Sequence, residues 1–494
     1  MTDPTTVAQP PRGPRPRRVG LMILAGLAFG TLALRAANAL PSLGSPQPPA
    51  AKAPVPQPKT PPAVARSAGS ALGLDVTLDR GAVTRGGDGL VRMELRMEAD
   101  ESKSEARVDS DFVVVLDRSG SMGGERLEQA RNAVLGLLDS LSSRDRLGLV
   151  VYDDSAQVLI PLSPAEQAVK PSWRRIIAEI AAGSSTNMSD GLDRGLELLQ
   201  SARQPGRAGR VILLSDGHAN TGDSSPEGLR TRGRRASQNE LVLSTIGIGE
   251  GFNEYLMTQI ADAGTGNYHY LADNTQLSPI LERELASTRA TVATGLAVKI
   301  SPAPGVQVVD AAGYPLTTDA TGSSFQVGSL FAGQERRVWV NLRVPADREG
   351  EQALGAVELA YSEAGQRKRL APSERLAVRC VKDENAALAS IDKEAWERAV
   401  VQEEWGRVQE AVARAVHDGK RDDATQTLNA YRDNYGALNT KLKSAAVGAS
   451  LDASRALEKK VADAFEGADQ LGKQNLFSKE NMFKGRKDRR MGSN

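Results

Sequence analysis

Two kinds of hydrophobic pattern follow each other in turn along the middle of the chain. Between about residues 110 and 290, short apolar runs such as 112–116 and 211–215 alternate with stretches of helical period. Continuous apolar runs indicate strands that helices cover on both faces, which is typical of a parallel sheet. The pattern therefore predicts a doubly wound α/β domain over residues 109–290.

The segments on either side of this domain show a period of two instead. Apolar residues occupy every second position near residues 74–78 and 91–97, and again in several runs after residue 291. Such alternation predicts half-buried strands, and turn signals between the later runs predict a β-sandwich over residues 291–382. Because two strands alone are not stable, we expect the strands of residues 71–108 to join this sandwich, with the α/β domain inserted between them.

After residue 383 the strand pattern gives way to sequence rich in Ala, Glu, Arg, Lys and Leu. Residues 383–471 are predicted to form helices, with Gly419 suited to a helix end. The last residues, 472–494, carry many Lys and Arg residues and few apolar ones. They are predicted to form a basic, disordered tail.

The first 70 residues predict export and a tether. Several arginines precede an uncharged, mostly apolar run at 19–34, which is shorter than the roughly 20 residues that span a bilayer. With the small-x-small site at residues 37–39, residues 1–39 are predicted to be a cleaved signal peptide; the alternative is an inner-membrane anchor at 19–34. Residues 40–70 form a predicted Pro/Ala-rich linker. Both interpretations, signal peptide and anchor, predict that the bulk of the protein lies in the periplasm, on the cell surface or in the medium. Membrane contact is expected only through the N-terminal segment.

Composition excludes several kinds of partner and chemistry. Lys and Arg total 62 against 61 for Asp and Glu, so the net charge of +1 gives no electrostatic argument for a nucleic-acid partner. The single cysteine, Cys380, has no internal disulfide partner and falls on the apolar side of an alternating run, which predicts a core position. The three histidines are far apart and lack the spacing of zinc ligands.

The candidate chemistry lies after the predicted strands of the α/β domain. Asp117, Ser119 and Ser121 follow the first strand and place a carboxylate and two hydroxyls at alternate positions within a glycine-rich turn. Thr186 begins a later helix, and Asp216 ends the strand at 211–215. Each residue alone would also suit a helix cap or a turn. Their joint occurrence at the carboxyl ends of strands predicts one site, and an oxygen-rich ligand set suits Mg²⁺, with Mn²⁺ or Ca²⁺ as alternatives.

The segment from about residue 112 to 290 resembles the von Willebrand factor A-like family. That family's metal-ion-dependent adhesion site has the pattern Asp-x-Ser-x-Ser, then Thr, then Asp, and it is matched by Asp117, Ser119, Ser121, Thr186 and Asp216. The resemblance implies that the hydroxyls hold a divalent cation, that the aspartates act directly or through water, and that an Asp or Glu of a partner protein completes the shell. The layout is similar to secreted bacterial members and, more loosely, to inter-alpha-trypsin inhibitor heavy chains and calcium-activated chloride channel regulators.

These observations predict a protein-binding module rather than an enzyme. The expected function is metal-dependent capture of an acidic residue on a partner protein outside the cytoplasm. One alternative is an envelope assembly or scaffold protein in which the metal is a regulator. A metal-dependent hydrolase is the third hypothesis; it is disfavoured because no histidine or paired acid–base motif lies near the hydroxyl-rich motif in sequence.

Overall fold

The computed structural model describes most of the chain beyond the N-terminal segment. The described residues are 63–66, 71–101, 108–216, 219–248, 253–271, 277–372 and 374–490. The predicted signal peptide or anchor lies outside them, and so does the predicted linker apart from the short strand β1 (Ala63–Arg66). Among the described residues, no helix combines the length and the apolar character that a membrane span requires.

Three further strands precede the α/β domain, namely β2 (Leu72–Leu78), β3 (Ala82–Thr84) and β4 (Leu90–Ala99). β2 pairs antiparallel with both β1 and β4, and Leu74 lies opposite Met97 in the β2–β4 register. The alternating apolar side chains of β2 and β4 point to the same face and are fully buried. This apolar face has to be covered by a second layer. Strands that follow the α/β domain in sequence supply that layer.

The α/β domain contains a six-stranded sheet covered by helices on both faces. Its strands are β5 (Ser110–Asp117), β6 (Arg146–Tyr152), β7 (Ala156–Pro164), β8 (Ala208–Ser215), β9 (Val242–Ile248) and β10 (Thr265–Leu271). Its helices are α1 (Glu125–Ser140), α2 (Lys170–Ala178), α3 (Met188–Ser201), α4 (Pro226–Gln238), α5 (Glu254–Ala263) and α6 (Leu277–Arg289). The helices cover two separate apolar cores, one on each face of the sheet.

The strand order of this sheet is β10-β9-β8-β5-β6-β7, and every neighbouring pair is parallel except β6 with β7. All eight residues of β5 are buried, as expected for a central strand with helices on both sides. The predicted doubly wound fold is therefore confirmed. The chain winds outward in one direction from β5 and in the other from β8, so the strand order reverses between these two neighbours.

Eight strands follow and complete the flanking sheets. They are β11 (Thr291–Pro302), β12 (Gln307–Ala311), β13 (Thr317–Asp319), β14 (Gly322–Phe331), β15 (Glu335–Arg343), β16 (Gly350–Glu363), β17 (Gln366–Leu370) and β18 (Leu376–Val381). One sheet has the order β1-β2-β4-β15-β12, and the other has β13-β14-β11-β16-β18-β3, with β17 paired to β16. The two sheets share one apolar core, which includes the buried Cys380. Strands from before and after the α/β domain thus pair within the same sheets.

Helices form the last part of the described chain. They are α7 (Glu384–Ala389), α8 (Lys393–Arg398), a π-helical turn (Ala399–Glu404), α9 (Trp405–His417), α10 (Arg421–Leu442), α11 (Ala445–Ala464) and α12 (Gln470–Arg490). Gly419 follows α9 with a φ of +71°, which is the left-handed conformation that glycine tolerates at a helix end. Valines spaced four apart on α9 pack into a shared core with α10 and α11.

The basic C-terminal segment differs from the prediction of a disordered tail. Residues 470–490 form α12, which packs along α9. Arg489 forms a two-point ion pair with the buried Glu403, at 2.6 and 3.0 Å, and Arg486 pairs with Asp262 of α5 at 2.5 Å. The prediction was wrong because the acidic partners of these arginines lie on distant elements, so the basic segment is neutralised by residues that are remote in sequence.

The ion pair between Arg489 and Glu403 generates a prediction about stability. Replacing Arg489→Met leaves a buried carboxylate without its two-point partner, so the free energy of unfolding should fall by about 3–5 kcal/mol at pH 8. Burial already raises the pKa of Glu403 to about 7, with Arg489 opposing that rise. Glu403 is therefore mostly protonated at pH 5, and the loss should be smaller there. Chemical denaturation followed by tryptophan fluorescence measures both values.

A matched control is available on α11. Arg455 is 64% exposed, and it pairs with the exposed Asp452 in the same helix. Arg455→Met should change the free energy of unfolding by less than about 0.5 kcal/mol. Equal losses for the two variants would show that the buried pair does not hold α12.

Candidate metal site

The predicted site residues lie at the edge of the α/β sheet where the strand order reverses. Asp117 is the last residue of β5, and Asp216 directly follows β8, the neighbouring parallel strand. Parallel strands bring their carboxyl ends to the same edge, and the reversal leaves a crevice there because the following helices lie on opposite faces. The two carboxylates therefore flank the crevice.

Backbone hydrogen bonds join the loop after β5 to the loop that carries Thr186. The Gly120 amide donates to the carbonyl of Ser184 at 2.9 Å, and the Gly183 amide donates to the carbonyl of Arg118 at 2.6 Å. Gly124 has a φ of +80° at the start of α1, a conformation that suits glycine. The tight turn and the paired loops bring the hydroxyl-bearing segment and the Thr186 segment side by side.

Three of the predicted oxygens form a connected group. The Ser119 and Ser121 Oγ atoms are 3.2 Å apart, and Ser121 Oγ donates to Asp216 Oδ1 at 2.9 Å. Adjacent ligands of an octahedral Mg²⁺, each about 2.1 Å from the ion, are themselves about 3 Å apart. The observed spacings match that value. Ser121 is exposed whereas Ser119 and Asp216 are buried, so the group opens to solvent on one side.

Asp117 lies beneath this group and is fully buried. Its Oδ1 accepts from the Ser119 amide at 2.8 Å, and its Oδ2 accepts from Ser215 Oγ at 2.6 Å and Tyr152 Oη at 3.2 Å. Burial raises the pKa of Asp117 above its ordinary value, although the hydrogen bonds from the two serines oppose that rise. A cation nearby would act in the same direction as these hydrogen bonds and would favour the charged form of Asp117. With both oxygens engaged, Asp117 fits a role through water or charge better than direct ligation.

Thr186 is buried and held by the loop after β8. Its amide donates to Asn220 Oδ1 at 2.9 Å, and its carbonyl accepts from the Asn220 amide at 3.1 Å. The N-cap of α3 is Asn187, whose side chain accepts from the Asp190 amide, so the backbone at Thr186 is fixed from both sides. The structure therefore brings Ser119, Ser121 and Asp216 into direct contact and positions Thr186 through its backbone.

Arg126 of α1 also contacts the group, and no motif in the sequence indicates this contact. Its Nη1 donates to Asp216 Oδ2 at 2.7 Å and to the carbonyl of Ser121 at 3.3 Å, while its side chain remains 38% exposed. Tyr152 and Ser215 were also missed. Both end strands next to β5, so knowledge of the strand order would have indicated them.

Other acidic residues near this edge are engaged by neighbouring side chains. Asp153 pairs with Arg118 at 3.0 Å, Asp154 accepts from Ser184 and Ser185, and Asp223 accepts from Ser225 at 2.6 Å. Across the described part of the chain, no group of three or more His, Cys, Asp or Glu residues could hold a metal ion. A cation at this edge would therefore take hydroxyls as a large share of its ligands.

Comparisons with known proteins agree with this architecture. The family described as the von Willebrand factor type A domain matches residues 111–283. Uncharacterized protein sll0103 of Synechocystis sp. is 26% identical over 305 residues, which cover 60% of this chain and 70% of that protein. Inter-alpha-trypsin inhibitor heavy chain H3 of Rattus norvegicus is 33% identical over 165 residues, which cover 31% of this chain but only 18% of the heavy chain.

A solved structure is similar over a larger share of the chain. The von Willebrand factor type A structure from Catenulispora acidiphila covers 85% of this chain and 98% of its own, with a TM-score of 0.64 and 17% identity. At this identity the likeness concerns the fold alone. Because it covers far more than residues 111–283, it includes much of the flanking sheets and helices.

The hydrogen bonds around Asp117 generate a second prediction. Ser215→Ala removes the 2.6 Å donor to a buried carboxylate, so the free energy of unfolding should fall by about 1.5–3 kcal/mol in the presence of chelator. The control is Ser201→Ala, because the exposed Ser201 hydroxyl donates to the Leu198 carbonyl of its own helix. Its effect should stay below about 0.5 kcal/mol. Chemical denaturation measures both variants. Indistinguishable losses would mean that Ser215 does not support Asp117.

Proposed function

We propose that this protein, which contains a von Willebrand factor type A domain at residues 111–283, is a metal-dependent protein-binding module that works outside the cytoplasm. Domains of this type are commonly protein-interaction modules. The observation that carries the proposal is the connected group of Ser119, Ser121 and Asp216, whose oxygen spacings match adjacent ligands of an octahedral cation. The exposed position of Ser121 supports access for a partner.

The proposed metal site consists of Asp117, Ser119, Ser121, Thr186 and Asp216, with Asp117 acting through water or charge. Mg²⁺ is the favoured ion, and Mn²⁺ and Ca²⁺ are the alternatives. Ser119, Ser121 and Thr186 supply neutral hydroxyl oxygens, so the ion would keep much of its positive charge. When bound, the cation would attract a carboxylate, which is why the partner is proposed to offer an Asp or Glu. Asp117 and Asp216 supply the negative charge that retains the ion.

Arg126 has a defined part in this proposal. Its guanidinium neutralises Asp216 in the metal-free protein and stays half exposed at the same edge. A cation bound beside Asp216 would repel this guanidinium, which can then turn toward solvent. There it adds positive charge around the site, and this supports an acidic partner surface.

The second proposal concerns the flanking parts of the chain. The sandwich and the C-terminal helices each have a buried apolar core, and in this proposal their surfaces bind an envelope partner while the metal acts as a regulator. An enzyme remains the weakest hypothesis because, within the part of the chain that the structure describes, serines and arginines engage the acidic side chains near this edge. Export through the N-terminal segment is proposed from the sequence alone.

Metal binding is tested by titration calorimetry of the full chain with Mg²⁺ and Mn²⁺. The wild-type protein should bind one ion, and Asp117→Ala should abolish binding while the circular dichroism spectrum stays native. Asp223→Ala is the matched control, because this carboxylate lies in the loop after β8 at the same edge of the sheet but pairs with Ser225 and Arg232. Unchanged metal affinity in Asp117→Ala would refute the site.

Partner capture distinguishes the hypotheses. A pull-down from the native envelope should recover an acidic partner with Mg²⁺ and lose it with chelator or with Ser121→Ala. Retention of the same partner in chelator would favour the scaffold hypothesis. Chelator-sensitive hydrolysis of an ester or phosphoester by the purified protein would favour the enzyme instead.

A further inference from the structure

A cavity of about 470 Å³ lies at the opposite edge of the α/β sheet from the candidate metal site. Three parts of the chain line it: the amino-terminal half of β10 with α6, the β14–β15 side of the sandwich, and the carboxyl-terminal half of α12. Its volume falls in the range of small-molecule sites, roughly 300–1,000 Å³. None of the five residues of the proposed metal site borders it.

A fixed polar network forms one wall of the cavity. The buried Glu284 accepts from Asn267 at 2.7 Å, from His269 at 3.0 Å and from Ser244 at 2.9 Å, and it pairs with Arg210. Burial alone would raise the pKa of Glu284, but the Arg210 charge and the hydrogen bonds hold it below its ordinary value. The carboxylate is therefore charged, neutralised and saturated, so it does not oppose an incoming anion as a free carboxylate would.

Among the described residues of the lining, the remaining charged side chains are all positive. Besides Arg210 and Glu284, the cavity is lined by Arg283, Arg336, Arg486 and Lys487. Arg486 is balanced by Asp262. Arg283 and Lys487 are exposed, so they carry positive charge at the mouth of the cavity. Charged walls of one sign around a low-dielectric cavity concentrate the field and attract ions of the opposite sign.

Aromatic side chains form the apolar part of the lining. Tyr268 and Phe483 meet edge to face with ring centroids 6.4 Å apart, and Tyr314 and Phe331 line the sandwich side. Rings arranged in this way can pack against another aromatic ring. The lining thus offers aromatic contact and cationic groups in one space, which is the combination that an aromatic anion requires.

We propose that this cavity binds a small aromatic carboxylate, with its ring among Tyr268, Phe331 and Phe483 and its carboxylate toward Arg283 and Lys487. Phe483 and Lys487 both lie on α12, so the site exists only when that helix is docked. The ligand would consequently stabilise the docked helix by mass action.

The test is titration calorimetry of the full chain with 1-naphthoate, and with the neutral 1-naphthalenemethanol as the matched ligand, both in chelator. Naphthoate should bind saturably and at least about 10-fold more tightly than the alcohol, whose weaker binding reflects the missing charge. Chelator separates this site from the metal site, so failure of one proposal leaves the other untouched. Equal affinities for the two ligands, or no saturable binding of naphthoate, would overturn the proposal.

Variants locate the binding within the cavity. Ser329→Phe should fill the space beside Phe331 and abolish binding. Because that change also alters packing, Lys487→Gln at the exposed mouth is the second variant, with an expected loss of about 2- to 5-fold in affinity. Arg348→Gln is the control, since Arg348 is 88% exposed and lies outside the cavity lining, and it should leave affinity unchanged. Equal affinities in Lys487→Gln and Arg348→Gln would place the ligand elsewhere.

Discussion

The candidate metal site depends on the hydrogen bonds that the buried carboxylate of Asp117 accepts. Its hydrogen bonds join β5 to Tyr152 of β6 and Ser215 of β8, so three neighbouring strands are fixed at one edge of the sheet. An isolated buried charge is costly, and here donors from both sides offset that cost. The same carboxylate fixes the Ser119 amide. The turn that presents the two hydroxyls therefore begins from an anchored residue.

The α/β domain is framed by the rest of the chain rather than appended to it. β3 and β4 precede the domain, yet they pair with β18 and β15 from beyond it. α12 then contacts α5, α9, β10 and β15. The strand pairs join segments that lie before and after the α/β domain in sequence. They therefore fix the points at which the chain enters and leaves this domain. We propose that the sheet edge with the hydroxyl group is left free for a partner while the opposite edge is packed against the sandwich and α12.

Sequence pattern predicted the fold of the α/β domain because each strand and helix there has a local signature. β5 is apolar throughout, the helices have clear periods, and the oxygen-bearing residues follow strand ends. The order of the strands in the sheet could not be predicted from such local patterns. Tyr152, Ser215 and Arg126 were therefore missed, because their contacts depend on the strand order and on the direction of α1. The tail was mispredicted for a similar reason, since Arg489 is neutralised by Glu403, 86 positions away. The number of charges in a segment can be counted from its sequence. The distant residue that neutralises each charge cannot be predicted in this way.

The most direct test of the metal site is a crystal structure of the full chain grown with Mn²⁺ and measured for anomalous scattering. One strong anomalous peak is expected at the ends of β5 and β8, roughly 2–2.5 Å from the Ser119 and Ser121 hydroxyl oxygens. In that structure Arg126 should no longer contact Asp216. A crystal that shows no peak there, or a peak at other residues with the Arg126–Asp216 pair intact, would show that these residues do not hold the cation.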